Sequence, residues 1–426
     1  MNMNKHTRIH MIDIGKTLNE RECGLDEGKE CTCSGICSKY AGFAGLGKSE
    51  GKFNYTNDFG GELHRKIGEE NALLLMQEVD DILCRFGGEA RKKYSTKNAF
   101  LSSKAKNLGL NVLSTEVRHL GSGLAQGIFR KMYEFMRDRV TFTFETKVES
   151  IKKLDEGFEL HTNRGCFKTS RIVIGTGMSG SVWLNDMMES FGVHPGETRL
   201  DMGYRVEMKS DQLQSILQDT FETKLKIERE DYEATTYCMN PHGRIIRKYQ
   251  HGLVMADGQN ALEKEAPSDN LNFTLFIPQY FPSYEEAFDE AVKVIGGINE
   301  RKDRIVVQRL EDFKMNRNTE TLAHNEVEPS LDAECGNGRK EVPALYADAL
   351  LDFFDSLKAL IGKEIHSDTL LYGLDAKFYE PKFYTNEYLE SEIPGIYLTG
   401  DCSGVTHSLS QAAASGIYLG KHLRHK

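Results

Sequence analysis

Residues 171–192, RIVIGTGMSGSVWLNDMMESFG, place Gly175-Thr176-Gly177-Met178-Ser179-Gly180 between a short apolar run and a stretch with helical spacing. A G-x-G-x-x-G there is the fingerprint of a dinucleotide-binding fold when it joins the first strand to the first helix and an acid follows about 20 residues on. Downstream of Gly175 the plausible acid is Asp201, in ETRLDMGYRVEM. Upstream, residues 148–151, 158–162, 166–168 and 171–174 are short strand-like runs broken by DEG and NRG, both hairpin-turn chemistry. This pattern predicts an antiparallel meander that delivers the chain to Gly175.

The organisation outside this stretch is uneven. Residues 8–15, RIHMIDIG, read as a short apolar strand ending in an acid and a glycine. Residues 23–61 are rich in Gly, Cys, Ser and Asn without a sustained period, so a long loop is expected, and loops of that length are usually functional. Leu63, Ile67, Leu74, Leu75, Val79, Ile82, Leu83 and Phe86 recur at three and four and predict an amphipathic helix, with more helix over 124–136. Strand-like pieces dominate 200–307, and 316–340 reads as a polar loop. A helix is expected over 343–361, with Pro343 at its first turn and Gly362 beyond its end. No internal repeat is found.

The chain has 426 residues, enough for two or more cores, and 54 Lys plus Arg against 64 Asp plus Glu give a net charge of −10. With no extended basic block, nucleic acid is not an expected partner. The first residues lack the apolar core of a signal peptide and no apolar run approaches the ~18 residues that span a bilayer, so a soluble, cytoplasmic protein without membrane contact is expected. Nine cysteines, an odd number scattered over the chain, read as reduced thiols.

The clearest chemistry lies near the C-terminus. In GIYLTGDCSGVTHSLSQAAASG, residues 395–416, a strand ends in Gly400-Asp401, and a small-residue turn leads into a helix opening at Ser410-Gln411-Ala412. Unpaired N–H groups at a helix start favour negative charge. The pyrimidine edge of a flavin would find its reduced ring stabilised there, and Asp401 could accept hydrogen bonds from a ribityl chain. The small residues Ala412, Ala413, Ala414, Ser415 and Gly416 would permit close approach. An ordinary strand–turn–helix with an Asp cap fits the same residues.

This segment resembles the C-terminal flavin motif of the FAD-dependent oxidoreductases with a glutathione-reductase-like FAD domain. Further stretches are similar to the bacterial FAD-dependent, or "NAD(FAD)-utilising", dehydrogenases: CTCSGICSKYAGFAGLGKSEGKFN, RHLGSG at 118–123, WLNDMMESFGV, LDMGYRVEM and TTYCMNPHG. The likeness covers nearly the whole chain. It departs from the family pattern at Ser49-Glu50-Gly51-Lys52, at Ser122-Gly123, and at Gly400-Asp401-Cys402-Ser403-Gly404, which puts the contacts of those side chains in doubt.

The resemblance implies an α/β chain. A discontinuous FAD-binding domain over 1–61, 137–195 and 368–426 would combine a parallel sheet with the meander, residues 62–136 would be a helical insertion, and 196–367 a mixed α+β substrate or cap domain. It also implies a different reading of the glycines. Ile12-Asp13-Ile14-Gly15 becomes the end of the second strand, with Asp13 on the adenosine ribose, and Gly175-Thr176-Gly177 becomes a later turn beside the cofactor. The cofactor-binding set is then Asp13, Gly15, Gly175, Thr176, Gly177, Gly400, Asp401, Gly404, Ser410, Gln411 and Ala412. The glycine fingerprint should precede Asp13, yet only twelve residues do and none is glycine, so the first βα unit is expected to be missing. Either the sequence is truncated there, or FAD is held weakly or not at all.

Other residues are less decided. Cys23, Cys31, Cys33 and Cys37 could converge on a metal, act as a redox dithiol or simply pack, and no metal ligand is assigned. His119 and His407 receive no catalytic role. Lys52 could balance a phosphate, a flavin or an anionic substrate, or be solvated. Arg205 and Glu207 are expected at the surface or between domains, and Trp183 in the core.

Three functions remain open. The first is an FAD-dependent oxidoreductase with NAD(P)H as a candidate electron partner and an undefined small-molecule substrate. The second is a non-catalytic or partner-dependent protein that keeps the fold without tight FAD binding. In the third, 175–180 binds a pyridine nucleotide itself.

Overall fold

Parallel strand pairs and an antiparallel meander organise one of the two units into which the chain divides. The computed structural model describes residues 7–22, 35–48, 51–217, 223–259, 268–300 and 302–424, without the side chains of Ser122 and Cys238. Cys23, Cys31, Cys33, Ser49 and Glu50 lie outside the described residues. The first unit comprises Met1–Ser95, Thr115–Gly196 and Glu380–Lys426; the second comprises Thr96–Ser114 and Glu197–Tyr379.

The strands of the first unit are β1 (Ile9–Ile12), β2 (Lys52–Tyr55), β3 (Tyr94–Ser95), β4 (Glu116–His119), β5 (Val140–Thr143), β6 (Val148–Lys153), β7 (Phe158–Thr162), β8 (Gly165–Thr169), β9 (Ile172–Ile174) and β10 (Ile396–Leu398). Its α-helices are α1 (Leu63–Ile67), α2 (Glu69–Arg85), α3 (Gly121–Met136), α4 (Ser181–Glu189) and α5 (Leu409–Arg424). The meander forms as its alternation requires. β6, β7 and β8 pair antiparallel in sequence order, with Ile151, Phe158 and Leu160 facing the core.

The parallel strands form two separate pairs among the described residues, β1 with β5 and β9 with β10. β10 cannot extend its sheet on the edge away from β9. There Ser391 N–H donates to the Ile396 carbonyl (2.8 Å) and Leu398 N–H to the Leu389 carbonyl (2.9 Å).

Among the elements that differ from the sequence expectation, two lie near residues 52–85. Within the expected loop, Lys-Phe-Asn-Tyr forms β2, whose Phe53 and Tyr55 are buried and which pairs with β4. The helix expected from Leu63 onward is interrupted at Gly68, whose φ of 88° ends α1 before α2 begins. Arg118 of β4 and Asp80 of α2 explain how these elements hold together. Arg118 donates from Nε and Nη2 to the two carboxylate oxygens of Asp80 (2.6 and 2.9 Å), and Tyr55 donates its hydroxyl to Oδ1 (2.6 Å).

The second unit contains a sheet ordered Glu334–Cys335, Val306–Arg309, Leu370–Phe378, Thr198–Lys209, Asn270–Phe281, Glu233–Pro241, Lys224–Glu228 and Leu110–Leu113. All of its pairings but that of the first two strands are antiparallel. The helix Ala344–Ile361 packs its apolar face into the core containing Leu200, Met202, Tyr204, Val206 and Met208, with Pro343 before it and Gly362 in the left-handed region after it, as expected.

Arg205 and Glu207 are not surface charges: both are fully buried. They share one face of their strand, and a second layer covers that face. The Arg205 guanidinium lies against Gly258 of the ribbon 244–259 and bonds Thr274 (2.9 Å) and Asn272. Glu207 accepts from Tyr372 (2.8 Å), Asn270 (3.0 Å) and the Ser330 amide (3.2 Å). Among the described residues no helix is long and apolar enough to cross a membrane.

Candidate functional site

The C-terminal ends of three strands meet in the first unit. Ile12 of β1 packs on one apolar cluster that contains Ile174 of β9, Leu398 of β10, Cys402 and two buried residues of α4, Leu184 and Met188. The carboxyl ends of strands are where open α/β folds bind ligands, because helix starts and loop amides gather there.

β9 and β10 end in matching turns. Gly177 has φ 64° and ψ −172°, Gly400 has φ 72° and ψ −168°, and each opens a single 3₁₀ turn, Met178–Gly180 and Asp401–Ser403. Left-handed φ at both sites favours glycine over any side chain. A Cβ built on either would meet no atom within 4 Å, so both turns present bare backbone to open space.

Cys402 joins the two turns. Its thiol donates toward the Thr399 carbonyl (3.4 Å), while the hydroxyl and amide of Thr176 and the amide of Gly177 point at its sulfur. Burial pushes this thiol up from its ordinary pKa.

The helix α5 docks on the end of β10 through Ser415. Its Oγ lies 2.7 Å from the Thr399 hydroxyl, accepts from the Gly400 amide (3.1 Å) and donates to the Ala412 carbonyl (2.7 Å). Ser408 caps the helix: its hydroxyl accepts from the Gln411 amide (3.3 Å) and its carbonyl from the Ala412 amide (2.9 Å). Among the described residues, the Leu409 and Ser410 amides have no acceptor. The Ser410 hydroxyl is wholly buried and has no partner among the described residues.

The remaining sequence-derived positions divide into open and engaged groups. Asp401 accepts from the Thr406 hydroxyl (2.7 Å) and stands beside the open Gly400 turn. Gly175 and Thr176 are exposed, and the Thr176 side chain covers Gly180. Gly404 lies under residues 380–382, where a Cβ would come within 2.6 Å of the Pro381 carbonyl. Gly15 is crossed by Gly42, whose nitrogen would lie 2.3 Å from such a Cβ.

The Asp13 carboxylate accepts from the Gly15 amide (2.7 Å) and also bonds the Gly42 amide; its burial outweighs these bonds and the nearby Arg21 charge, raising its pKa. Gln411 is engaged outside the helix. Its Nε2 donates to the carbonyls of Thr56, Phe59 and Gly61 (3.2 to 3.4 Å) and its Oε1 accepts from Leu63 N–H (3.2 Å), tying residues 56–63 over the start of α5. Ala412 is half-buried, Ala414 is core, and Gly416 is exposed with nothing near it.

His119 is exposed on β4, opposite Lys52. The backbone of His407 bonds Gly60, and Trp183 is half-buried, donating to the Val148 carbonyl (2.7 Å). Asp201 belongs to the second unit and is paired with Arg199 (2.5 and 2.8 Å) and Tyr379 (3.0 Å).

Sequence reasoning missed Arg21, the hub of the loop 35–48. This buried guanidinium donates to the carbonyls of Ser38 (3.0 Å), Lys39 (3.0 Å), Phe43 and Gly45 (2.9 Å). Nothing in its local sequence marks it, since its partners are carbonyls that every residue carries. Ser408 could have been found: Ser408-Leu-Ser-Gln411 has the capping-box spacing.

The residues at the ends of β9 and β10 fit the implied flavin in part. The Leu409 amide, without an acceptor among the described residues, and the bare glycine turns suit a ligand edge rich in acceptors. The side chains of Asp13 and Gln411 already have protein partners.

No protein-family model matches the chain. Over 337 residues it is 23% identical to an uncharacterised protein of Clostridium beijerinckii, covering 72% of this chain and 62% of that relative's length. Among solved structures it is similar to a glycine oxidase from Geobacillus kaustophilus (10% identity, TM-score 0.27, 74% of this chain and 57% of that one). It is also similar to a glycine oxidase from Bacillus cereus (11%, TM-score 0.26, 82% and 69%) and a salicylate hydroxylase in a substrate complex (12%, TM-score 0.29, 72% and 58%). Likeness at these TM-scores carries no argument about this chain.

Proposed function

We propose that the first unit binds FAD at the C-terminal ends of β9 and β10, and that the protein is a flavin-dependent oxidoreductase. The observation that carries this reading is the pair of open turns at Gly177 and Gly400, which present bare backbone at the ends of β9 and β10. Bare backbone of that kind lets a ligand approach main-chain groups directly.

The bound flavin would supply the redox chemistry. The chain's own part is orientation and charge. The Leu409 amide would donate to the pyrimidine edge, and the positive end of the α5 dipole would favour negative charge there. Asp401 would accept from a ribityl hydroxyl, and Gly177 and Gly400 would let the ligand approach backbone directly. The second unit would supply the substrate pocket, with NAD(P)H the candidate electron partner.

A second reading, a homologue of such enzymes without tight FAD binding, is favoured by Asp13 and Gln411, whose side chains are engaged by the protein. The visible spectrum of the purified chain, with and without added FAD, separates the two. A protein-bound flavin band that saturates with FAD supports the enzyme. No uptake at high FAD overturns it in favour of the second reading.

A further inference from the structure

The outer face of the meander carries three metal-binding side chains of different chemistry. Glu159 and His161 of β7 are two residues apart and therefore share a face, and Cys166 of β8 stands directly opposite His161. His161 Nε2 lies 3.2 Å from Glu159 Oε1, and His161 Nδ1 lies 3.2 Å from Cys166 Sγ. One donor atom from each residue lies within 4.8 Å of the other two. Around a tetrahedral zinc ion, donors with metal distances near 2.0 Å to nitrogen and 2.3 Å to sulfur stand about 3.5 Å apart. The two contacts use opposite ring nitrogens, so ligation requires the imidazole to swing until one nitrogen faces both partners; the three side chains reach solvent above strands whose other face packs Phe158 and Leu160, which leaves room for that motion.

We propose that Glu159, His161 and Cys166 form a three-ligand site for a divalent transition-metal ion of the zinc class. Water would complete the shell and leave an open coordination position. The donor set selects the metal. A thiolate and an imidazole disfavour magnesium and calcium, which take oxygen shells, and suit zinc, cobalt and their neighbours. On binding, the Cys166 thiol proton leaves to solvent, so affinity rises with pH.

Lys168 sets the competition. It stands opposite Glu159 on β8, and its Nζ lies 3.7 Å from Glu159 Oε2, where it repels a cation and holds the carboxylate. Because His161 and Cys166 sit on adjacent strands, the metal would also cross-link the β7–β8 hairpin.

Titration of the full-length reduced protein with Co²⁺, followed by displacement with Zn²⁺, tests the site. The chain has other cysteines, so the measured quantity is the difference between proteins. The unsubstituted protein is expected to bind one more cobalt equivalent than Cys166→Ser or His161→Ala, with a thiolate-to-cobalt charge-transfer band that Cys166→Ser removes. Glu159→Gln should weaken binding at least tenfold and Lys168→Met should tighten it. All four positions face solvent, so the metal-free unfolding temperatures of the variants should match that of the parent, separating ligation from folding. Equal cobalt stoichiometry and equal charge-transfer absorption in the parent and Cys166→Ser overturn the proposal, and so does a Lys168→Met affinity no higher than the parent's.

Discussion

The hydroxyls of Thr399 and Ser415 lie 2.7 Å apart, bolting the residue after β10 to the second turn of α5. The same Ser415 oxygen accepts from the Gly400 amide, so one side chain sets both the position of the helix and the conformation of the turn beside Asp401. Ser415→Ala leaves that amide and the Thr399 hydroxyl without this partner. A loss of about 1–3 kcal/mol is expected, read as a lower chemical-denaturation midpoint, together with weaker FAD uptake. An unchanged midpoint would show that the contact contributes nothing.

Ser410→Ala should behave in the opposite way. The hydroxyl has no partner to lose, so stability should hold or rise by about 1 kcal/mol. FAD affinity should stay at the parent's level, because the hydroxyl is closed off from solvent and ligand alike. A severalfold loss of affinity would show that the start of α5 opens to the ligand.

Gly400→Ala and Gly177→Ala each place a Cβ on backbone with positive φ and extended ψ, a region kept almost wholly to glycine, at a strain of about 1–3 kcal/mol. Neither Cβ meets protein atoms. Crystal structures of the variants should therefore show the turns in place, and any loss of FAD binding beyond the strain would mark contact with the ligand itself.

Arg118→Met strands the buried Asp80 carboxylate, and removing one partner of a buried pair costs about 3–5 kcal/mol. Burial pushes the Asp80 carboxyl up, but hydrogen bonds from Arg118 and Tyr55 and the charges of Arg118 and Lys93 outweigh it and hold the pKa below the ordinary value. A carboxylate lowered in the folded state stabilises the protein above its unfolded-state pKa, and that contribution disappears as pH falls through the folded value. Unfolding midpoints of Asp80→Asn and the parent should therefore differ most at neutral pH and converge below about pH 4. A gap independent of pH would rule out the charge as its source.

Gln411→Ala releases the backbone of 56–63 from the start of α5. Amide hydrogen exchange should rise at Leu63, whose N–H loses its acceptor, and limited proteolysis should reach 56–62 sooner. Protection equal to the parent's would show that the backbone bonds Glu62 to Val405 and His407 to Gly60 suffice alone.

Local patterns in the sequence determined the elements whose cause is local. Alternation bounded by turn residues specified β6, β7, β8 and β9, and the Pro343 and Gly362 signals delimited the helix between them, because pleat period and helix ends depend on neighbours in the chain. The same pattern places Glu159, His161 and Cys166 on one face of a hairpin, though no metal-ligand spacing in the chain marks them, because Cys166 meets His161 across the turn. Only the tertiary structure decided which polar residues are buried, engaged or open. Arg205 and Glu207 read as surface or interdomain charges, but a second layer within their own unit covers their strand face. Asp13 and Gln411 read as ligand contacts, but backbone amides and carbonyls from distant segments occupy their side chains. Those partners are main-chain groups common to every residue, so no motif announces them, whereas the open turns at Gly177 and Gly400 and the solitary hydroxyl of Ser410 emerge only once the surrounding chain has folded past them.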